Sequence, residues 1–170
     1  MYYLPAILLL ALGLVARLAP HPANFTPIAA IALFGALYLP RKLAIAVPLA
    51  TMFISDIFIG FYEWPIMTAV YASFAIAGII GLVARKNKKF RAIFGGTLLA
   101  SLTFFLITNA AVWAFGTMYP RNLSGLFESY YMAIPFFRNS LLGDLFYTGI
   151  LVGGMEAISL LKKQPVEIKN

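Results

Sequence analysis

Six apolar stretches, each closed by a short break of Pro, Gly, Asn or charge, leave this chain little to present to water. They run over about 4–18, 26–39, 43–59, 66–84, 92–115 and 139–161. Apolar runs of this kind fold as helices when they enter hydrocarbon, because every backbone N–H and C=O must then be satisfied within the segment. Composition argues against a water-soluble alternative. Of 170 residues, 62% are hydrophobic and 11% charged, whereas a soluble domain carries about 25% charged residues. The expected fold class is an all-α membrane protein, with residues 1–170 forming a single integral membrane domain. The run from Leu4 to Ala16 resembles a signal-peptide core, but Met1-Tyr2-Tyr3 supplies no basic residue and "LVARLAPHPA" is a poor cleavage site. It reads as a retained first span.

The first two stretches are shorter than the roughly 20 helical residues a hydrocarbon core requires. They cross fully if protein rather than lipid surrounds their ends; the alternative is a helical hairpin that does not cross. Charge placement favours crossing. After the second, fourth and sixth stretches stand Arg41, Lys42, Arg85, Lys86, Lys88, Lys89, Arg91, Lys162, Lys163 and Lys169, whereas the other side has only Arg17, Arg121 and Arg138. Cytoplasmic loops carry the excess of Lys and Arg. The split therefore implies six transmembrane helices, both termini in the cytoplasm and a multi-pass location in the cell inner membrane. The net charge of +7 is a topology signal, and the expected partner is the lipid bilayer, not nucleic acid.

A long segment, "GTMYPRNLSGLFESYYMAIPFFRN", separates the fifth and sixth stretches, and from Ser124 its apolar residues recur at helical spacing. A straight helix from Ser124 to Leu161 would be roughly 57 Å long at 1.5 Å per residue, which exceeds any bilayer. Pro135 is therefore expected to break it, leaving a short interfacial or re-entrant helix before the last span.

The polar residues that need explaining gather on the outer side: Arg17, His21 and Asn24 after the first span, Asp56 and Glu63 near the end of the third, Asn109 and Trp113 near the end of the fifth, Tyr119, Arg121, Asn122 and Glu128 in the long segment, and Arg138, Asn139 and Asp144 at the start of the sixth. Asp56, Asn109 and Asp144 fall within the membrane. An ionised carboxylate there costs roughly 2.5–3.5 kcal/mol on insertion scales, so it must face the bundle interior and find a partner. Arg17 and Arg138 lie at suitable depth to be counter-ions. One reading is a structural ion-pair network pinning helix ends. The other is an outward-facing cavity, lined by aromatics, for a small polar solute. In that cavity Arg17 or Arg138 would hold a carboxylate or phosphate, and Asp56 and Asp144 would accept hydrogen bonds from amine or hydroxyl groups. Trp113 or Tyr62 would stack on a planar ligand, although aromatic belts mark bilayer interfaces generally. Glu156 is expected to bridge to the basic loops.

Small residues recur at four-residue spacing in Ala32/Ala36, Ala46/Ala50, Ala77/Gly81 and Gly149/Gly153/Ala157, a pattern that lets helices approach closely. No Walker loop, HExxH or GxSxG is present, and there is one His and no Cys. Neither a metal site, a cofactor nor catalysis is expected. His21, held between two prolines, suits a loop anchor better than a catalytic base.

The blocks "RLAPHPANFTPIAAIALFGALYL", "SDIFIGFY", "NAAVWAFGTMYP" and "SYYMAIPFFRNSLLGDLFYTGILVG" together resemble a family of small bacterial six-span membrane proteins described only as candidate transport proteins. The plan of the chain is also similar, at fold level, to the S components of energy-coupling-factor vitamin transporters. That similarity implies an S-component-like bundle whose outer loops enclose a vitamin- or precursor-like solute and whose cytoplasmic side docks a membrane energising or coupling subunit. Ala32 and Ala36 match such a docking motif only approximately. The expected function is capture or uptake of a small polar organic solute by Arg17, His21, Asn24, Asp56, Asn109, Trp113, Arg121, Arg138, Asn139 and Asp144. The alternative is a non-catalytic accessory or scaffold subunit of a larger membrane complex.

Overall fold

The computed structural model describes residues 3–86 and 90–163. Lys88, Lys89 and Lys169, counted above with the cytoplasmic cations, lie outside the described residues. Those described form six helices and no strand: α1 (Tyr3–Leu18), α2 (Ile28–Tyr38), α3 (Arg41–Ile59), α4 (Trp64–Ala84), α5 (Phe90–Phe115) and α6 (Leu123–Lys163).

Helix α2 organises the rest. Its sequence, IAAIALFGALY, is apolar on every side, and a helix of that kind belongs inside a protein. Every residue from Ile28 to Leu37 is buried, and α2 packs against each of the other five helices. At 11 residues it is only about 16 Å long, too short to cross hydrocarbon unaided. The surrounding helices supply its environment. Where α4 crosses it, Gly81 is required by contact. A Cβ there would lie 2.6 Å from Ala36 Cβ and 3.1 Å from Leu33 Cα. The small-residue stripes of α2 and α4 thus face each other, and Ala32 and Ala77 join Ala100 of α5 in one buried cluster. Gly149 and Gly153 meet nothing within 4 Å of an added Cβ.

The outer helices turn apolar side chains outward, among them Ile7, Phe58, Val83, Leu99 and Ile150. Helices α3, α4, α5 and α6 are long and apolar enough to cross a membrane; α1 and α2 are shorter. Helix α3 stops at Gly60, whose φ of 110° lies outside the range most side chains tolerate. Helix α4 begins with Pro65 in its first turn, where the missing N–H costs nothing.

One expectation is corrected. Pro135 does not end a separate short helix; it lies inside α6, which is continuous over 41 residues. Proline removes one hydrogen bond and crowds the carbonyl four residues earlier, but α6 is held to α5 on both sides of it. The Tyr130 hydroxyl donates to the Leu106 carbonyl at 2.9 Å, and the Phe137 ring packs on Phe105 with centroids 4.6 Å apart. Bilayer thickness sets no ceiling on helix length either. A helix of about 60 Å outruns a core of about 30 Å and continues beyond it.

Candidate functional site

The α1–α2 connection is short of helix formers and rich in proline, and it turns sharply. The Phe25 N–H donates to the Pro22 carbonyl at 2.9 Å, and Asn24 takes φ of 63°, a left-handed conformation that Asn adopts more readily than most residues. Helix α6 fixes this turn. Asn139 Nδ2 donates to the Ala23 carbonyl at 3.0 Å, and the Phe25 ring packs between Phe146 and Tyr147, with centroids 5.9 and 5.7 Å away. Gly143 admits the approach, since a Cβ there would lie 3.3 Å from Phe25 Cα.

The docked turn brings Asn24 to the wall of two adjoining cavities. The smaller, about 40 Å³, is lined by Asn24, Thr26, Phe74, Phe104, Ser140 and Asp144. The larger, about 210 Å³, shares Asn24, Phe104 and Ser140 and adds Thr108, Asn109 and the rings of Phe105, Phe136 and Phe137. Together they make a polar strip walled by aromatics between α2, α4, α5 and α6.

Asp144 and Asn109 are among the polar groups in this strip that keep unused bonding capacity. Asp144 is 5% exposed. Ser101 Oγ lies 2.6 Å from its Oδ2 and 3.0 Å from the Thr97 carbonyl, so one hydroxyl proton serves two acceptors. No cation pairs with Asp144 among the described residues. Asn109 donates one amide hydrogen to the Phe105 carbonyl at 2.7 Å, leaving its second hydrogen and its oxygen for other partners.

Arg17 and Asp56 are brought together elsewhere. Arg17 Nη2 lies 2.8 Å from Asp56 Oδ1, and the Tyr71 hydroxyl donates to Oδ2 at 2.8 Å. The other arm of Arg17 rests on Met52 Sδ. This enclosed pair ties α1 to α3 and α4, and lines neither cavity. In the α3–α4 loop nearby, partial burial, reinforced by the Asp56 charge and partly offset by Arg17, pushes the Tyr62 phenol up to about 12.

The remaining expected site residues line neither cavity. Trp113 donates its indole N–H to the Pro120 and Asn122 carbonyls, both at 3.1 Å. The Asn122 side chain accepts the Gly125 N–H at 2.8 Å, so both residues shape the α5–α6 turn. Asn139 acts through the Ala23 carbonyl. His21 is exposed, with Nδ1 2.7 Å from the Ala19 carbonyl oxygen. Arg121 and Arg138 are exposed. Arg138 stands six residues before Asp144, about 240° around the helix, so the two do not pair. Glu156 accepts a hydrogen bond from the Tyr38 hydroxyl at 2.8 Å; no ion pair to a basic loop is found among the described residues.

Sequence reasoning missed Thr26, Phe74, Ser101, Phe104 and Ser140, and it missed Tyr71 beside Asp56. A serine or phenylalanine in an apolar helix carries no signal by itself. One signal was present: Ser140 precedes Asp144 by four residues, which places both on one helix face.

The fold and these cavities define a class: an all-helical bundle, four of its helices long and apolar enough to cross a membrane, with an aromatic-walled polar cavity beside the first loop. The chain belongs to the family of unknown function DUF6580, whose model matches residues 2–166. No curated protein and no solved structure matches it.

Proposed function

We propose that this chain is a six-span protein of the bacterial inner membrane, with both termini in the cytoplasm, that captures a small polar organic solute from the outer side. The observation that carries the reading is the convergence of Asn24, Asn109, Ser140 and Asp144 on open space walled by phenylalanine rings. Polar groups at membrane depth are costly and otherwise bond to one another. Here a carboxylate and an amide retain free acceptors and donors. A few placed polar groups in a mostly apolar concavity is the arrangement that orients a small ligand.

The volumes of about 40 and 210 Å³ fall below the roughly 300–1,000 Å³ of drug-sized sites. They favour a compact, precursor-sized solute over a whole vitamin. With Arg17 engaged by Asp56, recognition rests on Asn24, Asn109 and Asp144 instead of an arginine fork.

A second reading, an accessory or scaffold subunit, is favoured by one observation. Between α5 and α6 runs a groove of about 370 Å³ lined by Phe94, Thr148, Gly149, Gly153 and Glu156, where small residues leave room for the side chains of a partner to approach. The same groove would serve a coupling subunit if the chain transports.

The two readings separate in a thermal-shift screen of detergent-purified protein against small polar metabolites. A specific solute at 100 times its dissociation constant adds about 2.7 kcal/mol of stability, and the shift should vanish in Asp144→Asn and Asn109→Leu. A fixed co-purifying membrane partner, with no solute shift across the library, would overturn solute capture in favour of the accessory reading.

A further inference from the structure

We infer that the solute taken by this cavity is an organic ammonium, a positive charge carried on a compact aromatic or apolar body, and that Asp144 is the group that selects it. The inference rests on the solute-capture reading and names its substrate class.

The argument is one of charge accounting within a buried space. Among the described residues, Asp144 is the one acidic residue lining either cavity, and no Lys, Arg or His lines them. Its single hydrogen-bond partner among the described residues is Ser101, which supplies a shared proton and no charge. The other buried carboxylate, Asp56, has Arg17 against it at 2.8 Å and Tyr71 completing its shell. The same bundle therefore holds one ion-paired carboxylate away from the cavity and, inside it, one carboxyl with no counter-ion among the described residues.

A buried carboxyl with no cation beside it is relieved either by a proton or by a partner charge brought in by binding, and the partner charge lets it ionise and pair. An ammonium group provides such a partner. It offers N–H donors to the free carboxylate oxygen, and the neutral acceptors nearby, the side-chain oxygens of Asn24, Thr26 and Ser140, can take the remaining hydrogens. A neutral polar solute could bond to the amides and hydroxyls but would bring the carboxyl no partner charge. An anion would set like charges together in a medium of low dielectric.

The walls agree with this choice. Phe74 and Phe104 both line the cavity with Asp144, their ring centroids 5.1 Å apart. Ring faces attract a cation within about 6 Å of their centroids. Further along, Phe105, Phe136 and Phe137 surround the larger space, which suits the uncharged body of the same solute. The polar group and the apolar group thus have separate compartments, joined at Asn24, Phe104 and Ser140.

The test uses the full chain in nanodiscs of phosphatidylcholine, whose surface carries no net charge to concentrate a cation. Three probes share one body and differ in charge: phenethylammonium, 2-phenylethanol and phenylacetate. Their dissociation constants are read by thermal shift at pH 7. The expected order places phenethylammonium at least 10-fold tighter than 2-phenylethanol, with phenylacetate weakest. Asp144→Asn, which keeps the shape and the Ser101 contact, should erase the advantage of the cation. The charge series on the unsubstituted protein decides the matter even if that variant fails to fold. Equal binding of the cation and the alcohol, or a preference for the acid, would overturn the ammonium inference and leave solute capture standing. Binding of none of the three would also overturn the ammonium inference, while solute capture itself is decided by the wider metabolite screen.

Discussion

The Arg17 guanidinium sits 2.8 Å from the Asp56 carboxylate and so joins the last turn of α1 to α3, with Asp56 only 1% exposed and the Arg17 side chain 14% exposed. Removing one member of a buried pair leaves the other uncompensated, which costs about 3–5 kcal/mol. Arg17→Met should therefore lower stability by about that amount, read by thermal or denaturant unfolding in detergent. Tyr71→Phe, which removes one hydrogen bond to the same carboxylate, should cost about 1.5–3 kcal/mol. Replacing both charges, as Arg17→Met with Asp56→Leu, should recover most of the loss. If the double variant is as unstable as Arg17→Met alone, the pair is not the source of the effect. Because the pair lines neither cavity, solute affinity measured on the folded fraction should not change.

The contrast between this pair and Asp144 shows what could be read from sequence. Six helices, with bounds within a few residues of those observed except for the start of α6, follow from apolar runs and the breaks between them, because hydrocarbon-like interiors force local backbone pairing. Arg17 was named as a counter-ion on depth alone, and it is one. Depth does not fix the angle around a helix axis, so Arg138, at suitable depth to be a counter-ion, still pairs with no carboxylate among the described residues. The cavity walls were illegible for a related reason. Phe74 and Phe104, and Ser101 behind Asp144, face inward by virtue of how α2, α4 and α5 pack, and nothing local distinguishes them from lipid-facing neighbours. The continuity of α6 through Pro135 was missed because the contacts to Leu106 and Phe105 that hold it are tertiary.

Gly81 tests the packing of the central helix. The Cβ of an alanine would meet Ala36 Cβ at 2.6 Å and the Leu33 backbone at 3.1–3.2 Å, and backbone cannot rotate away. Overpacking of this kind costs typically 1–3 kcal/mol. Gly81→Ala should lose about that much, and Gly81→Val more. Gly95→Ala, where an added Cβ meets nothing within 4 Å, is the matched control and should be neutral or slightly stabilising through helix propensity. Equal melting temperatures for Gly81→Ala and Gly95→Ala would contradict the close α2–α4 crossing.

The proposed topology can be probed directly, since the chain has no cysteine of its own. Arg121→Cys, in the α5–α6 turn, should react with a membrane-impermeant maleimide added to intact cells. Lys86→Cys, after α4, should react only once the membrane is opened. Labelling of both positions from outside would exclude the six-span arrangement with cytoplasmic termini.

Asn24 offers the cleanest separation of fold from function. Its φ of 63° is open to glycine at no steric cost but strains a β-branched side chain by about 1–3 kcal/mol. Asn24→Val should therefore destabilise the protein by that range and weaken solute binding as a consequence. Asn24→Gly should hold the Pro22–Phe25 turn, which is fixed by Asn139 and by the packing of Phe25 on Phe146 and Tyr147, and leave the melting temperature nearly unchanged. It removes only the side chain that lines both cavities. If Asn24 bonds the proposed solute, losing that hydrogen bond, about 1 kcal/mol, corresponds to roughly a 5-fold rise in dissociation constant. A Gly variant with intact stability and unaltered affinity would show that Asn24 frames the turn and takes no part in recognition.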